Sequence, residues 1–397
     1  MSEKILIAHT PDDERRTMCS VLREQGYFVR QCAGTSSLLE ALEDSPAVLL
    51  LDAALSGNDR AEYWDEVAKF CTQRETACLV FSTMGEPSSS IRERLPWAMG
   101  VVHHPNDVDE LAARVGDLVR IRRLGHELGL AHDMLQRKQR EYNESLRAAA
   151  QIQKNLLPQR LPKVDTLSFA YRFLPCEQVG GDLFNVMRLD EKTLMAYLFD
   201  VSGHGVSAAM VSVSVSQSLS PHSGRIVKQR IESDPHYRIP APAEVMASLE
   251  KEFPFERFEK FFTITYLLID IETGRVRYCN AGHPPPVLLK ADGSLETLDE
   301  GGGLIGIEGL GSFNEGEISM QPGDRLYLYS DGITEHSNSR LELFGEQRFF
   351  RKVQELKKRD LDSVCEKTIE ALHAFGRAQP IKDDITLLGI EYRGRSL

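Results

Sequence analysis

The stretch Phe199–Met210, FDVSGHGVSAAM, decides how the second half of this 397-residue chain is read. The run TLMAYLFD is apolar until it ends in Asp200, the pattern of a buried strand. Gly203 and Gly205 follow, so the backbone can turn tightly and pass close to a neighbour. A helix of small residues, SAAMVSVSVSQ, comes next. A carboxylate at the end of a buried strand is costly unless something compensates it. Asp200 therefore either caps the following helix or meets a divalent cation.

Outward from this stretch lie more acidic turns. VGGDLFN puts Asp182 after a glycine pair, and DRLYLYSDGITE ends a strand-like alternation in Asp331-Gly332. IKDDITLLGI places Asp383 and Asp384 immediately before an apolar strand. A single Asp-Gly turn signals a hairpin and nothing more. Repeated acidic turns, each abutting a strand, point to oxygen ligands converging on hard cations such as Mg²⁺ or Mn²⁺.

GGD, DVSGHG, NAGHPPP (280–286), SDGITE (330–335) and DDIT (383–386) follow one another in the order seen in metal-dependent, PPM-type serine/threonine protein phosphatases. The chain resembles the bacterial RsbU/SpoIIE branch of that family from about Ala150 to Ile390, and AQIQKNLLPQRLP (150–162) is similar to the branch's helical lead-in. The resemblance implies an α-β-β-α sandwich and a protein phosphatase with two Mn²⁺ or Mg²⁺ ions per active site. It assigns catalysis to Asp182, Asp200, Asp331 and Asp383. Asp200 would bridge the ions, the Val201 carbonyl would add to one, and Asp331 and Asp383 would complete the other. Asp182 would bind mainly through water, and Asp384 would be a further ligand or stand behind the rest. Water held between the ions would attack the phosphoserine with no covalent phospho-enzyme. The implied substrate is a phosphorylated anti-sigma-factor antagonist.

Neither His204 nor His283 has a second His at ligand spacing, so His204 reads as a loop residue. His283, in a turn stiffened by prolines, is a candidate to approach the substrate. Asn185 stands where the family often carries an acid. No arginine in these motifs is placed to clamp phosphate, so affinity for a protein substrate would come from protein–protein contact.

Residues 1–120 alternate short apolar strands (KILIAH, YFVRQC, AVLLLD, ACLVFS, MGVVHH) with polar-faced helices, which predicts a parallel, doubly wound, flavodoxin-like α/β sheet. The pattern resembles a response-regulator receiver, and Asp52 falls at that family's phosphoacceptor position. His9 and Thr10 replace its acidic pair, and His104, before Pro105, replaces its lysine, whereas Ser82 supplies the expected hydroxyl. Asp12 and Asp13 read as the start of the first helix, where acids suit the dipole. These departures favour docking or dimerisation over phospho-signalling.

One helical pattern covers 108–157. Ile121, Leu124, Leu128, Ala131, Leu135, Lys138, Tyr142, Ser145, Ala149, Ile152 and Leu156 keep a 3–4 spacing for about five heptads, which argues for a coiled coil and a parallel homodimer. Pro158 and Pro162 stop it. The division is then 1–120, a receiver-like domain; 121–160, a coiled-coil linker; and 161–397, a phosphatase domain. This order resembles the RssB-type response regulators of some pseudomonads. The rival reading is a non-catalytic dimeric adaptor that binds a sigma-factor regulator through the receiver-like domain. The long insertion 220–242, with Arg225, Lys228, Arg230 and Arg238, reads as a basic grip for an acidic protein or as a mobile loop.

A net charge of −12 disfavours nucleic acid. Seven cysteines without a CxxC pair read as reduced thiols. MSEKILIAHT reads as a strand rather than a signal peptide, and no apolar run nears the roughly 20 residues of a membrane span. A cytoplasmic protein without membrane partners is expected.

Overall fold

Apolar runs broken by turn residues become the strands of three large sheets among the described residues, beside one two-stranded ribbon. The computed structural model describes residues 3–9, 14–57, 61–82, 85–103, 107–222, 225–232, 235–377 and 379–394. Two compact units divide the chain, Met1–Arg140 and Glu141–Leu397.

In the first unit, β1 (Lys4–His9), α1 (Glu14–Glu24), β2 (Phe28–Ala33), α2 (Leu38–Leu42), β3 (Val48–Asp52), α3 (Ala61–Gln73), β4 (Ala77–Phe81), α4 (Ser88–Arg94) and β5 (Gly100–Val102) alternate. All strand pairs are parallel, in the order β2-β1-β3-β4-β5. That is the flavodoxin-type doubly wound order expected from the alternation. Burial on both faces explains why β3 reads as an unbroken apolar run. Leu49 and Leu51 pack with Trp64 and Ile91 on one side, and Val48 and Leu50 pack with Leu22 and Val115 on the other.

Helix α5 runs unbroken from Val108 to Leu156 and stops just before Pro158. Its start contributes Leu111 and Val115 to the first unit's core. Beyond them Ile121, Leu124, Leu128, Leu135, Tyr142 and Ile152 are all more than half exposed. Leu156, expected on that same seam, instead packs with Leu157 against the core of the second unit. Burial in that core separates Leu156 from the exposed residues earlier in the helix.

The second unit continues with β6 (Leu167–Leu174), β7 (Leu183–Arg188), β8 (Thr193–Val201), α6 (Val206–Ser218), β9 (Gln229–Arg230), β10 (Tyr237–Arg238), α7 (Pro242–Glu252) and α8 (Phe255–Phe258). Then come β11 (Phe262–Asp270), β12 (Arg275–Ala281), β13 (Val287–Leu289), β14 (Leu295–Thr297), β15 (Gly301–Gly302), β16 (Gly316–Ser319) and β17 (Arg325–Tyr329). Last are α9 (Asp331–Thr334), α10 (Gly345–Glu355), α11 (Leu361–Gly376) and β18 (Ile385–Tyr392).

One sheet has the order β15-β12-β11-β8-β7, with β16 also on β12, and the other β14-β13-β17-β18-β6. Strand alternation sorts the side chains between layers. Leu326, Leu328, Leu388 and Ile390 face the core shared with the first sheet, while Tyr327, Tyr329 and Leu387 pack under Phe349, Val364 and Leu372 of α10 and α11. Val211 and Val215 of α6 and Val245 and Leu249 of α7 belong to the first sheet's cluster. The layers are the expected α-β-β-α. Short strands such as β14 and β15 were not foreseen, because two or three residues carry no readable alternation.

Part of the basic insertion is folded onto its own domain where it is described. Val227 and Ile226 are buried, and β9 pairs with β10. Lys228 donates to the Leu189 carbonyl at 2.7 Å and lies 3.9 Å from the centre of the Tyr237 ring. Arg238 Nη1 donates to both Glu244 carboxylate oxygens, at 3.0 and 3.1 Å. Two of its four cations are thus spent on holding the segment to its own domain.

Candidate active site

Register explains how distant acids become neighbours. Strands β7 and β8 are antiparallel with Leu183 opposite Phe199, so one step further Asp182 faces Asp200. Strands β17 and β18 pair Tyr329 with Leu387, and Ser330 N–H continues the ladder to the Thr386 carbonyl at 3.0 Å. Asp331 and the Asp383-Asp384 pair therefore flank the same end of the second sheet. Each sheet delivers acids to one place.

The electrostatics register this gathering. Burial, then the charges of Asp331, Asp383 and Asp384, push Asp200 up to about 8, and its carboxyl also shares a hydrogen bond with Asp182. Asp182, almost wholly buried, is raised well above the carboxylate range by burial and then by Asp200 and Asp384. Asp331 reaches about 6 through burial, Asp383 and Glu335. Asp383, more open to solvent, is raised by burial and by the charge of Asp384, with His204 opposing. Acids crowded in this way hold protons unless cations replace them.

The chain takes close approaches to build this pocket. A Cβ on Gly181 would stand 2.5 Å from the Val201 carbonyl oxygen and 2.8 Å from Asp200 Oδ1. On Gly180 it would collide with the Asp384 carboxylate, and on Gly332 with the Asp384 carbonyl. These glycines are needed for room, whereas Gly203 and Gly205, both at φ +80°, are needed for the turn.

Several contacts were not legible in the sequence. Gln153 of α5 accepts from Gly180 N–H at 3.1 Å and donates to the Gly180 carbonyl at 2.7 Å. Ser212 of α6 donates to the Gly181 carbonyl at 2.6 Å. Asp384 accepts from Asp182 N–H at 3.2 Å and Cys176 N–H at 2.8 Å, so both its oxygens point at the backbone of the Asp182 loop. Thr386 donates to Asp182 Oδ2 at 2.5 Å. Lys260 donates to the Ser202 carbonyl at 2.9 Å under the glycine turn. The polar small residues of α6 and the IQ pair of α5 were the available signals, but helix periodicity alone assigns them no partner.

The histidines separate. His204 is exposed, with Nδ1 2.9 Å from Glu177. His283 is buried and does not reach outward to a substrate: Nδ1 meets Thr263 Oγ1 at 2.8 Å, and Asn280 Oδ1 and Nδ2 bind its main chain. Burial drives its pKa down to about 3. The prolines after it hold it inward rather than presenting it. Asn185 does not face the acids either; its Nδ2 caps the Leu156 carbonyl at the end of α5, at 3.3 Å.

The donor set is carboxylate and carbonyl oxygen, which fits Mg²⁺ or Mn²⁺ and not a soft ion. Among the described residues no three His, Cys, Asp or Glu side chains are spaced to grip one ion as they stand. Asp182 and Asp384 are turned to Thr386 and to the loop amides instead.

In the first unit, Asp52 ends β3 buried, and its Oδ1 accepts from Ala54 N–H at 2.9 Å. His9 and Ser82 are buried at neighbouring strand ends. Thr10, Asp12, Asp13, His104 and Pro105 lie outside the described residues. No helix among the described residues is long and apolar enough to cross a membrane.

Residues 190–393 match the family described as stage II sporulation protein E (SpoIIE). Protein IcfG of Synechocystis is 27% identical over 263 residues, 62% of this chain and 41% of that protein. Phosphoserine phosphatase RsbP of Bacillus subtilis is 29% identical over 199 residues, 49% of this chain and 46% of that protein. The chain thus spans under half the length of these two relatives. The solved SiaA-PP2C domain of Pseudomonas aeruginosa covers 64% of this chain and 98% of its own length, at 20% identity and a TM-score of 0.55, and shares the fold.

Proposed function

Because the chain belongs to the SpoIIE family, we propose that it is a metal-dependent protein phosphatase that removes phosphate from serine or threonine of a regulatory protein. The observation that carries this reading is the meeting of Asp182, Asp200, Asp331 and Asp383 at one end of two sheets, with their proton affinities raised together. Asp200, the Val201 carbonyl, Asp331, Asp383 and Asp182 would hold two Mn²⁺ or Mg²⁺ ions, which would supply charge neutralisation for the phosphoryl group and a more acidic water. Asp384 anchors the Asp182 loop through its amides rather than spending its oxygens on an ion. Asp182 is steadied by Thr386, and the glycine turn below Asp200 by Lys260. A non-catalytic adaptor has no use for such crowded acids.

The substrate that suits this family and this order of parts is a phosphorylated anti-sigma-factor antagonist. The apolar face of α5, uncovered at Leu128 and Leu135, is closed by the same face of a second copy, giving a coiled-coil homodimer. The receiver-like unit docks or regulates without phosphorylation of Asp52. Mn²⁺-dependent release of p-nitrophenol from its phosphate, lost in Asp200→Ala, tests the chemistry. Activity that survives that substitution rejects the site. Sedimentation of wild type against a Leu128→Glu, Leu135→Glu double variant tests the dimer.

A further inference from the structure

The loop that carries Asp182 is held almost entirely by side chains from elsewhere. Its residues 179–182, just before β7, are buried, and no strand ladder serves Gly180. Gln153 supplies both partners of that residue, accepting from its N–H and donating to its carbonyl. Gln153 is itself buried, at 6% exposure, near the last turn of α5. That helix end is fixed a second time where Asn185 caps the Leu156 carbonyl, and a third time by Leu157 in the core. Displacing the end of α5 therefore drags the Gly180 peptide, and Asp182 two residues on.

We propose that Gln153 is a positioning residue that sets the Asp182 loop for cation binding, so that the end of α5 and the metal-binding loop act as one rigid piece. This deepens the metal-dependent reading above and rests on it. A buried amide paired with both groups of one peptide fixes orientation as well as distance, as an added strand would. Groups that orient ligands without touching the ion affect affinity for it by about 10- to 100-fold. Among the described residues the exposed neighbour Gln151 bonds along its own helix, to Asn155 Oδ1 at 3.1 Å, and serves as the control.

The test is a calorimetric Mn²⁺ titration of the full chain as wild type, Gln153→Ala, Gln153→Met and Gln151→Ala. Met keeps the length and apolar packing of Gln and deletes both hydrogen bonds, so it decides the matter if the Ala variant does not fold. Gln153→Met is expected to weaken Mn²⁺ binding about 10- to 100-fold. Its p-nitrophenyl phosphate activity should fail at low Mn²⁺ and return at saturating Mn²⁺. Gln151→Ala should stay within about twofold of wild type. A folded Gln153→Met that binds Mn²⁺ within about twofold of wild type overturns the proposal. So does activity that excess Mn²⁺ cannot restore, which would mark damage beyond the loop. A wild-type chain that takes up no Mn²⁺ sinks the metal reading itself, and the clamp with it.

Discussion

Asp52 and Asp200 carry the same local signal, an acid closing an apolar strand, and the molecule treats them differently. Asp52 ends β3 and turns back on the N–H of Ala54, within its own turn. Asp200, one residue before the end of β8, stands among Asp182, Asp331, Asp383 and Asp384, and burial with the charges of Asp331, Asp383 and Asp384 lifts it to about 8. The strand-end pattern alone does not say which other acids a carboxylate will meet. For Asp200, the strands and turns on either side decide that.

The largest effect should come from neutralising the two acids in turn. Asp200→Asn is expected to lower Mn²⁺-dependent p-nitrophenyl phosphate hydrolysis by at least about a thousandfold. Asp52→Asn should leave the rate within about twofold. Equal losses would break the contrast.

Thr386→Val removes the hydroxyl that steadies Asp182 Oδ2 while keeping its shape. The Mn²⁺ concentration for half-maximal activity should rise about tenfold, with the rate at saturating Mn²⁺ nearly unchanged. A change in the saturated rate alone would place Thr386 outside the ligand cluster.

Stability should respond to pH through the cluster. Folding raises Asp200 to about 8 and Asp331 to about 6, against about 3.9 for an unfolded aspartate. Between those values the folded chain holds more protons than the unfolded one, so stability falls as pH rises. In EDTA the melting temperature should drop from pH 5 to pH 8, and Mn²⁺ should remove that drop by replacing protons with cations. A flat profile in EDTA would mean the acids are not crowded.

The smallest response belongs to the first unit. Incubation with acetyl phosphate and Mg²⁺ should leave Asp52 unlabelled and the phosphatase rate within about twofold. Stoichiometric labelling would restore a phospho-switch to that unit.

Much of this was legible beforehand. Alternation and apolar runs located the five parallel strands, α5 with its stop at proline, and the long strands of the sandwich. Those signals are local, because burial on one or both faces leaves its period in the chain. The supports of the site were not legible. Gln153 and Ser212 look like ordinary helix positions, and only folding places them on Gly180 and Gly181. His283 looked available to a substrate until Thr263 and Asn280 enclosed it. The basic insertion looked free until Lys228 and Arg238 found partners inside their own domain.

The amino-acid order alone determined which segments bury themselves and which acids stand at strand ends, since both follow from side-chain type and spacing within a few residues. Tertiary structure alone decided which acids meet and which backbone groups hold them there. Strand register and helix docking couple positions such as Gln153 and Gly180, or Asp182 and Thr386, whose separation along the chain leaves no pattern in one sequence.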